Sequence, residues 1–363
     1  MDELESCARL ARVPGITAAA LTGAARSAGG LTALADHDWR GLAESPRSRL
    51  RRLPAAQVRA DLAWIRQARA TLVPCTSALY PRALACLSDA PPVLYVLGDP
   101  RALAPPQLAM VGARSATPTG LALAHALAAE LAAAGLTITS GLALGVDAAA
   151  HAGALAAGGC TVAVCAHGLD QLYPRENRTL AAQIRTAGAL VSRFAPGISP
   201  RRACFPQRNR LLAGLALGTL VVEAAVNSGS LSTARCALQH DRAVFAVPGS
   251  PANPLARGCH ALIREGARLV ECAADVLAAL ELPLSGQRLA AAAGPARGAR
   301  TQPGPLDKAY EMLLDALGFE PVSINTLVER TGLPSGSIAS MLLILELGGR
   351  IALHRGGRYC RLS

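Results

Sequence analysis

Aromatic residues are scarce in this 363-residue sequence, where Phe, Trp and Tyr together make up 3%. The ten cysteines form no Cys-x-x-Cys pair and no regular spacing, which argues against a disulfide framework and favours buried thiols in a reducing compartment. The N-terminus is acidic and lacks the apolar core of a signal peptide. The longest apolar run, residues 211–222, is too short to cross a bilayer. These absences predict a soluble cytoplasmic protein with no membrane contact.

Lysine is also nearly absent, because Lys308 is the only lysine among 36 basic residues. Against 25 acidic residues, the basic excess gives a net charge of +11. Such a surface attracts polyanions by counterion release, and the arginine fork suits phosphate. The basic excess could instead serve only solubility, so the placement of the arginines has to decide between solubility and polyanion binding.

The chain divides by composition into four parts. Residues 1–70 read as a helical cap, 71–282 as a domain in which strands and helices alternate, 283–305 as a flexible linker rich in Ala, Gly and Pro, and 306–363 as a compact tail. The Pro14-Gly15-Ile16 turn in the cap is typical of a helix-hairpin-helix module of the kind found in SAM-like domains, which can hold a phosphate, or of an ordinary turn.

Seven short β-rich runs recur through the central part, separated by Ala/Leu-rich stretches of helical length. This alternation predicts an α/β domain, a Rossmann-like parallel sheet with helices on both faces, whose ligand lies beyond the carboxyl ends of the strands. The predicted strands are 108–111, 137–139, 161–165, 189–192, 219–222, 244–247 and 268–270.

The tail reads as a winged helix-turn-helix, with helices at 306–317, 324–330 and 337–347 before a hairpin at 351–362. The third helix carries no Arg or Lys, so we expect no base readout from it. Its hairpin, with Arg350, Arg355, Arg358 and Arg361, could touch a nucleic-acid backbone. The alternatives are that the tail holds a partner or packs on the main domain.

The loop after the first predicted strand contains Gly112, Arg114 and Ser115, followed by a helix that Thr117 can cap. Free amides and the positive end of the helix would face an anion there. Because the dinucleotide pattern GxGxxG is absent, the loop predicts a phosphate site without a nucleotide cofactor.

Ser140 and Gly141 follow the second strand, where glycine lets the backbone approach a ligand. Asp147 and His151 lie on one face of the next helix and read either as metal ligands or, preferably, as capping and packing residues. We therefore expect no metal.

A third loop contains Asp170, Tyr173 and Asn177, which either line the same mouth or form a turn before a helix.

The strongest signal is the stretch 199–210, in which four arginines surround Phe205 at the start of a helix. Arginines neutralise phosphates and an exposed ring stacks on a base, so this pattern favours nucleic acid; a solvated charge run with a buried ring is the alternative. The polar members are Arg201, Arg202, Arg208, Asn209 and Arg210.

Ser228, Gly229 and Ser230 open a later helix and form a second anion nest with hydroxyl donors. Glu223, at the end of the preceding strand, reads as a general base or, preferably, as an acceptor that fixes the loop.

Together these segments resemble the DNA-processing protein A family (DprA, also called Smf) from residue 111 to residue 263. The resemblance implies an extended Rossmann fold that forms a homodimer and binds single-stranded DNA without catalysis. It also implies that the protein protects incoming strands and loads a RecA-type recombinase during natural transformation. Arg114 and residues 208–210 would line the strand-binding pocket, with Phe205 near a base. Two residues depart from the family pattern: Leu144 stands in place of an arginine and His260 in place of an asparagine.

Two rival functions remain. A nucleotide phosphoribohydrolase shares this broad fold, but it would need a Pro-Gly-Gly loop that this sequence lacks. A transcription factor acting through the tail would need a cationic third helix. We therefore predict no catalytic residue and no cofactor.

Overall fold

The computed structural model describes residues 2–281, 308–354 and 356–362. The linker predicted at 283–305 and the wing residue Arg355 lie outside the described residues. The described residues divide into two compact units, of which the smaller contains the C-terminal residues 308–362. The N-terminal helices and the main sheet belong to the larger unit, and the domain boundaries drawn from composition stay predictions.

Five helices precede the sheet: α1 (Glu3–Arg12), α2 (Ala18–Ala28), α3 (Leu31–Asp36), α4 (Glu44–Arg52) and α5 (Ala55–Ala68). Side-chain caps fix where the first two begin: the Asp2 carboxylate accepts the Glu5 amide at 2.6 Å, and the Thr17 hydroxyl accepts the Ala20 amide at 3.3 Å. A buried ion pair between Arg12 and Asp61 joins α1 to α5.

Nine strands form the main sheet, in the order β1-β2-β6-β5-β4-β3-β7-β8-β9. All seven strands predicted from the sequence are confirmed as β3 to β9, and those seven run parallel. The sequence analysis missed β1 and β2, which pair antiparallel with each other, and β2 pairs antiparallel with β6. The strands are β1 (Thr71–Pro74), β2 (Val93–Gly98), β3 (Gln107–Gly112), β4 (Thr137–Ser140), β5 (Thr161–Val164), β6 (Ala189–Ser192), β7 (Gly218–Val222), β8 (Ala243–Ala246) and β9 (Arg268–Leu269).

Helices cover both faces of this sheet, as predicted. In β2, Val93, Tyr95 and Leu97 pack in one core with the N-terminal helices, while Leu94 and Val96 pack in the other with α10 to α12. The helices of this part are α6 (Arg82–Ala85), α7 (Pro118–Ala133), α8 (Val146–Ala156), α9 (Arg178–Ala187), α10 (Cys204–Leu215), α11 (Gly229–Gln239), α12 (Arg257–Arg264) and α13 (Ala273–Ala279).

The chain order reverses at β3, which lies between β4 and β7. Ligands of open α/β sheets bind at such a reversal, outside the carboxyl ends of the strands. The loops that follow β3, β4 and β7 therefore meet where the sequence predicted an anion site.

The C-terminal unit has the predicted winged-helix elements: α14 (Lys308–Leu317), α15 (Ile324–Thr331) and α16 (Ser335–Leu347), with strands β11 (Ile351–His354) and β12 (Arg358–Arg361). A short strand that the sequence analysis missed, β10 (Val322–Ser323), pairs with β12. The core of the unit contains Leu317, Leu327, Ile338 and Leu342.

Among the described residues, every helix is too short or too polar to cross a membrane.

Candidate nucleic-acid interface

The loop after β3 begins at a glycine that the packing requires. A Cβ on Gly112 would lie 1.9 Å from the Val222 carbonyl oxygen and 2.5 Å from the Val146 side chain. The Ala113 amide donates to the Glu223 carbonyl at 2.6 Å, and this hydrogen bond fixes the turn. Arg114 follows with an exposed side chain.

Asp147 organises the loop after β4. Its carboxylate accepts the amides of Gly141 at 3.0 Å and Ala143 at 3.3 Å. Ser140 is buried, and its hydroxyl donates to the Met110 carbonyl at 2.5 Å. Ser140 therefore joins neighbouring strands under the loop, and the backbone of Gly141 forms the surface above it.

Arg208 is a buried side chain, with only 7% of its surface exposed. Its Nη1 donates to the carbonyls of Gly141 at 2.6 Å and Val164 at 3.2 Å, at the carboxyl ends of β4 and β5. Burial lowers the pKa of Arg208, and the nearby Asp147 opposes that shift. Burial also raises the pKa of Asp147, against the effect of Arg208. The two charges support each other across Gly141, and Arg208 holds the loop in place.

Asn209 is also buried and continues this network. Its Oδ1 accepts from Nε of Arg208 at 3.1 Å, and its Nδ2 donates to the Gly229 carbonyl at 3.4 Å. α10 is thereby tied to the start of α11.

Phe205 stands between two guanidinium groups. The Arg114 guanidinium lies 5.8 Å and that of Arg208 5.7 Å from the ring centroid. Tyr173 meets the ring edge-on, with centroids 6.4 Å apart and planes at 76°. Such contacts fix the orientation of a ring. Phe205 is half-buried and faces a cavity, so the alternative of a ring inside the core is wrong.

The serines of α11 complete this edge of the sheet. The Ser228 hydroxyl accepts the Ser230 amide at 3.2 Å, and the Ser230 hydroxyl donates to the Gly112 carbonyl at 2.6 Å. The α11 N-terminus is thus held against the β3 loop.

A cavity of about 220 Å³, the Phe205 cavity, lies where these loops meet. It brings together residues that the sequence placed in separate motifs: Gly112, Arg114, Gly141, Phe205, Arg208, Asn209, Ser228, Gly229 and Ser230. A smaller cavity of about 60 Å³ continues past Phe205 to Tyr173 and Leu144.

The remaining predicted residues do not line these cavities. Ser115, Arg201 and Arg202 are exposed, and Arg210 lies 3.9 Å from the Asp89 carboxylate. The sequence left open whether Tyr173 lines the same mouth or belongs to a turn before a helix. Tyr173 lines the smaller of the two cavities and also an open cavity of about 730 Å³, which Arg175 and Arg178 line as well. The arginines that follow Pro174 in the sequence were the signal for this extension.

The sequence model of the DNA recombination-mediator protein A family matches residues 71–281, and that of the DprA winged-helix domain matches residues 297–357. The chain belongs to the DNA recombination-mediator protein A family. It is 39% identical to Protein Smf of Escherichia coli, over 89% of this chain and 85% of that protein. It is 43% identical to the DNA processing protein DprA of Streptococcus pneumoniae, over 56% of this chain and 71% of that one.

Solved DprA structures have the same fold. That of Streptococcus pneumoniae DprA matches with a TM-score of 0.65 and 33% identity, covering 77% of this chain and 98% of its own. That of Helicobacter pylori DprA matches with a TM-score of 0.53 and 30% identity, covering 59% of this chain and 96% of its own. The Helicobacter pylori protein is described as having a unique single-stranded DNA binding mode.

Of the two departures from the DprA pattern, Leu144 lines the smaller cavity and His260 lines neither of the two. Leu144 is 40% exposed and lines the smaller cavity, so the rim carries an apolar side chain at that point. His260 contacts the loop after β8, with its Nε2 2.9 Å from the Gly249 carbonyl oxygen.

His151 packs in the interior, the role that the sequence analysis preferred. Its Nδ1 lies 2.7 Å from the Thr161 hydroxyl, and burial lowers the pKa of His151 to about 3. Within the part of the chain that the structure describes, no cluster of three or more His, Cys, Asp or Glu is arranged to hold a metal ion.

Proposed function

We propose that this DprA-family chain binds single-stranded DNA in the Phe205 cavity without catalysis, in the cytoplasm. We further propose that it protects the strand and passes it to a RecA-type recombinase during natural transformation. The main observation in support is that the oriented ring of Phe205 and the exposed guanidinium of Arg114 lie together where the chain order of the sheet reverses at β3.

Each part of the cavity suits one part of an unpaired strand. The Phe205 ring offers a stacking surface that every base can use. Arg114 is exposed and free to neutralise a phosphate, and the α11 N-terminus adds amides and the positive end of a helix. Arg208 supports this surface from below through the Gly141 carbonyl. The single-stranded DNA binding described for Helicobacter pylori DprA supports the assignment.

The test compares Phe205→Ala and Phe205→Tyr by fluorescence anisotropy with a labelled oligothymidine. Losing the ring should weaken binding by about 1–3 kcal/mol, which is the value of stacking one base. The tyrosine variant keeps a stacking surface and should bind within about threefold of wild type. Equal affinity of the alanine variant and wild type would place the strand elsewhere.

Arg114→Ala tests the electrostatic contribution in the same assay, repeated at several salt concentrations. It should weaken binding and reduce the slope of log affinity against log salt by about 0.7, the value for one phosphate contact of a single strand. Arg114→Lys keeps the charge and should keep the slope. A slope that is the same for alanine and wild type would remove Arg114 from the strand path.

Absence of catalysis is part of the proposal. The Asn253 amide lies 3.5 Å from Oε1 of Glu223, which suits an acceptor that fixes the loop. Incubation with nucleoside monophosphates should release no free base, and release that depends on Glu223 would support the phosphoribohydrolase alternative.

The proposed function also involves two protein partners, a second copy of this chain and a RecA-type recombinase. Light scattering should give twice the chain mass of 37.2 kDa, as expected of a homodimer. Adding the chain to strand-exchange reactions should speed assembly of a RecA-type filament on protein-coated single strands, and Phe205→Ala should abolish the effect.

A further inference from the structure

The N-terminal cap, residues 2–70, carries an excess of positive charge that the cavity does not use. It contains eleven arginines against seven acidic residues. Ion pairs occupy Arg9, Arg12, Arg47 and Arg51, whose partners are Glu5, Asp61, Glu44 and Asp38. The other seven arginines are exposed and have no carboxylate partner among the described residues: Arg26, Arg40, Arg49, Arg52, Arg59, Arg66 and Arg69.

Helix α4 concentrates this charge. Its nine residues include four arginines and one acid, Glu44. Pro46 and Leu50 face the core, which leaves Arg49 and Arg52, three residues apart, together on one flank of the helix. Nη1 of Arg49 donates to the Pro14 carbonyl at 3.4 Å, so this flank adjoins the turn between α1 and α2.

The cap differs from the cavity in that neither of its two tryptophan rings is fully exposed to stack on a base. Trp39 is 3% exposed, and Trp64 packs against the same core. Single strands are held by stacking together with charge, whereas the backbone of a duplex can be held by charge alone. A lipid surface also attracts arginine, but insertion into it requires apolar or aromatic side chains, and the exposed flank of α4 offers Arg49 and Arg52 without them.

We propose that the cap is a second DNA-binding surface, at which Arg49 and Arg52 contact the phosphates of duplex DNA. No residue of the cap lines the Phe205 cavity, so the chain can hold a single strand and an adjoining duplex through different side chains. The inference goes beyond the function proposed for the cavity.

The test uses the full-length chain carrying Arg49→Gln with Arg52→Gln, and a blunt duplex and an oligothymidine as probes. Two lost phosphate contacts should weaken duplex binding on the order of tenfold or more at about 0.1 M salt and reduce its salt slope by about 1.8. Binding of the single strand should change by less than about threefold. Phe205→Ala should give the reverse pattern, which separates a failure of this proposal from a failure of the cavity assignment.

The matched control is Arg264→Gln with Arg268→Gln. Both side chains are exposed, and this double variant changes the net charge by the same amount. Arg264 ends α12 and Arg268 begins β9, so they lie at the amino end of a parallel strand, whereas the cavity lies at the carboxyl ends. The proposal is overturned if the α4 variant binds duplex as tightly as wild type or no more weakly than the control. It is also overturned if the variant keeps duplex binding but loses binding to phosphatidylserine vesicles. If thermal unfolding shows that the double variant is misfolded, Arg52→Gln alone should reduce the duplex slope by about 0.9.

Discussion

Gly141 separates two buried charges, and this arrangement explains why the residue has to be glycine. Its amide donates to Asp147 and its carbonyl accepts from Arg208. A Cβ at this position would lie 1.7 Å from Nη1 of Arg208 and 2.8 Å from the Asp147 carboxylate. The side chain that the sequence assigned to the DNA surface, Arg208, therefore occupies the space that the missing Cβ leaves.

Gly141→Ala should displace Arg208 and destabilise the protein by about 1–3 kcal/mol, the usual effect of overpacking. Binding of single-stranded DNA should fall with it, because the loop surface moves. A Cβ on Gly229 would have nothing within 4 Å, so Gly229→Ala is the matched control for stability. Chemical denaturation measures the stability of both variants, and anisotropy measures DNA binding by Gly141→Ala. Equal loss of stability in the two alanine variants would refute the steric account.

At the scale of elements, the site is made by where strands and helices end. β3, β4 and β7 stop at one edge of the sheet, and α10 and α11 bring Phe205 and the serines to the same edge.

The third helix of the winged-helix unit presents no such polar surface. This helix, α16, carries Leu343, Ile344 and Leu347 on its outer side, with exposures of 58%, 55% and 80%. An apolar outer face lacks the donors that read bases.

Leu343→Ser with Leu347→Ser in α16 should therefore leave affinity for single-stranded and duplex oligonucleotides within about twofold of wild type, because apolar side chains make no phosphate contact. Anisotropy with both probes measures this. A loss of tenfold or more would show that α16 takes part in DNA binding.

At the scale of the whole molecule, one buried histidine couples stability to pH. Burial holds the pKa of His151 at about 3, whereas an exposed histidine titrates near 6.5. Between these values the unfolded chain binds a proton that the native protein does not bind. Stability is therefore full above the unfolded pKa and falls as the pH drops towards about 3.

The contribution of His151 to the free energy of unfolding should decrease by up to about 1.4 kcal/mol per pH unit below about pH 6.5. Denaturation of wild type and His151→Gln at several pH values measures the difference in slope. If the variant does not fold, the NMR signal of the His151 imidazole in the wild-type protein should show no titration between about pH 5 and 8. A titration midpoint near 6 would contradict the predicted coupling.

Local chemistry in the sequence determined the strands β3 to β9, the winged-helix elements and the motifs that meet at the cavity. Apolar runs specify buried strands, and glycine, serine and arginine after a strand specify a loop suited to an anion. It did not reveal β1 and β2. These two strands pair antiparallel, outside the alternation of parallel strands and helices that predicted the others, and β1 ends in Pro74.

Only the tertiary structure decided which arginine faces the cavity opening and which one supports it. Arg114 and Arg208 have the same chemistry in sequence. The difference arises because α10 packs Arg208 over Gly141 and against the carboxyl ends of β4 and β5, which withdraws its charge from water. Burial depends on contacts between residues far apart in the chain, and so no local pattern contains it.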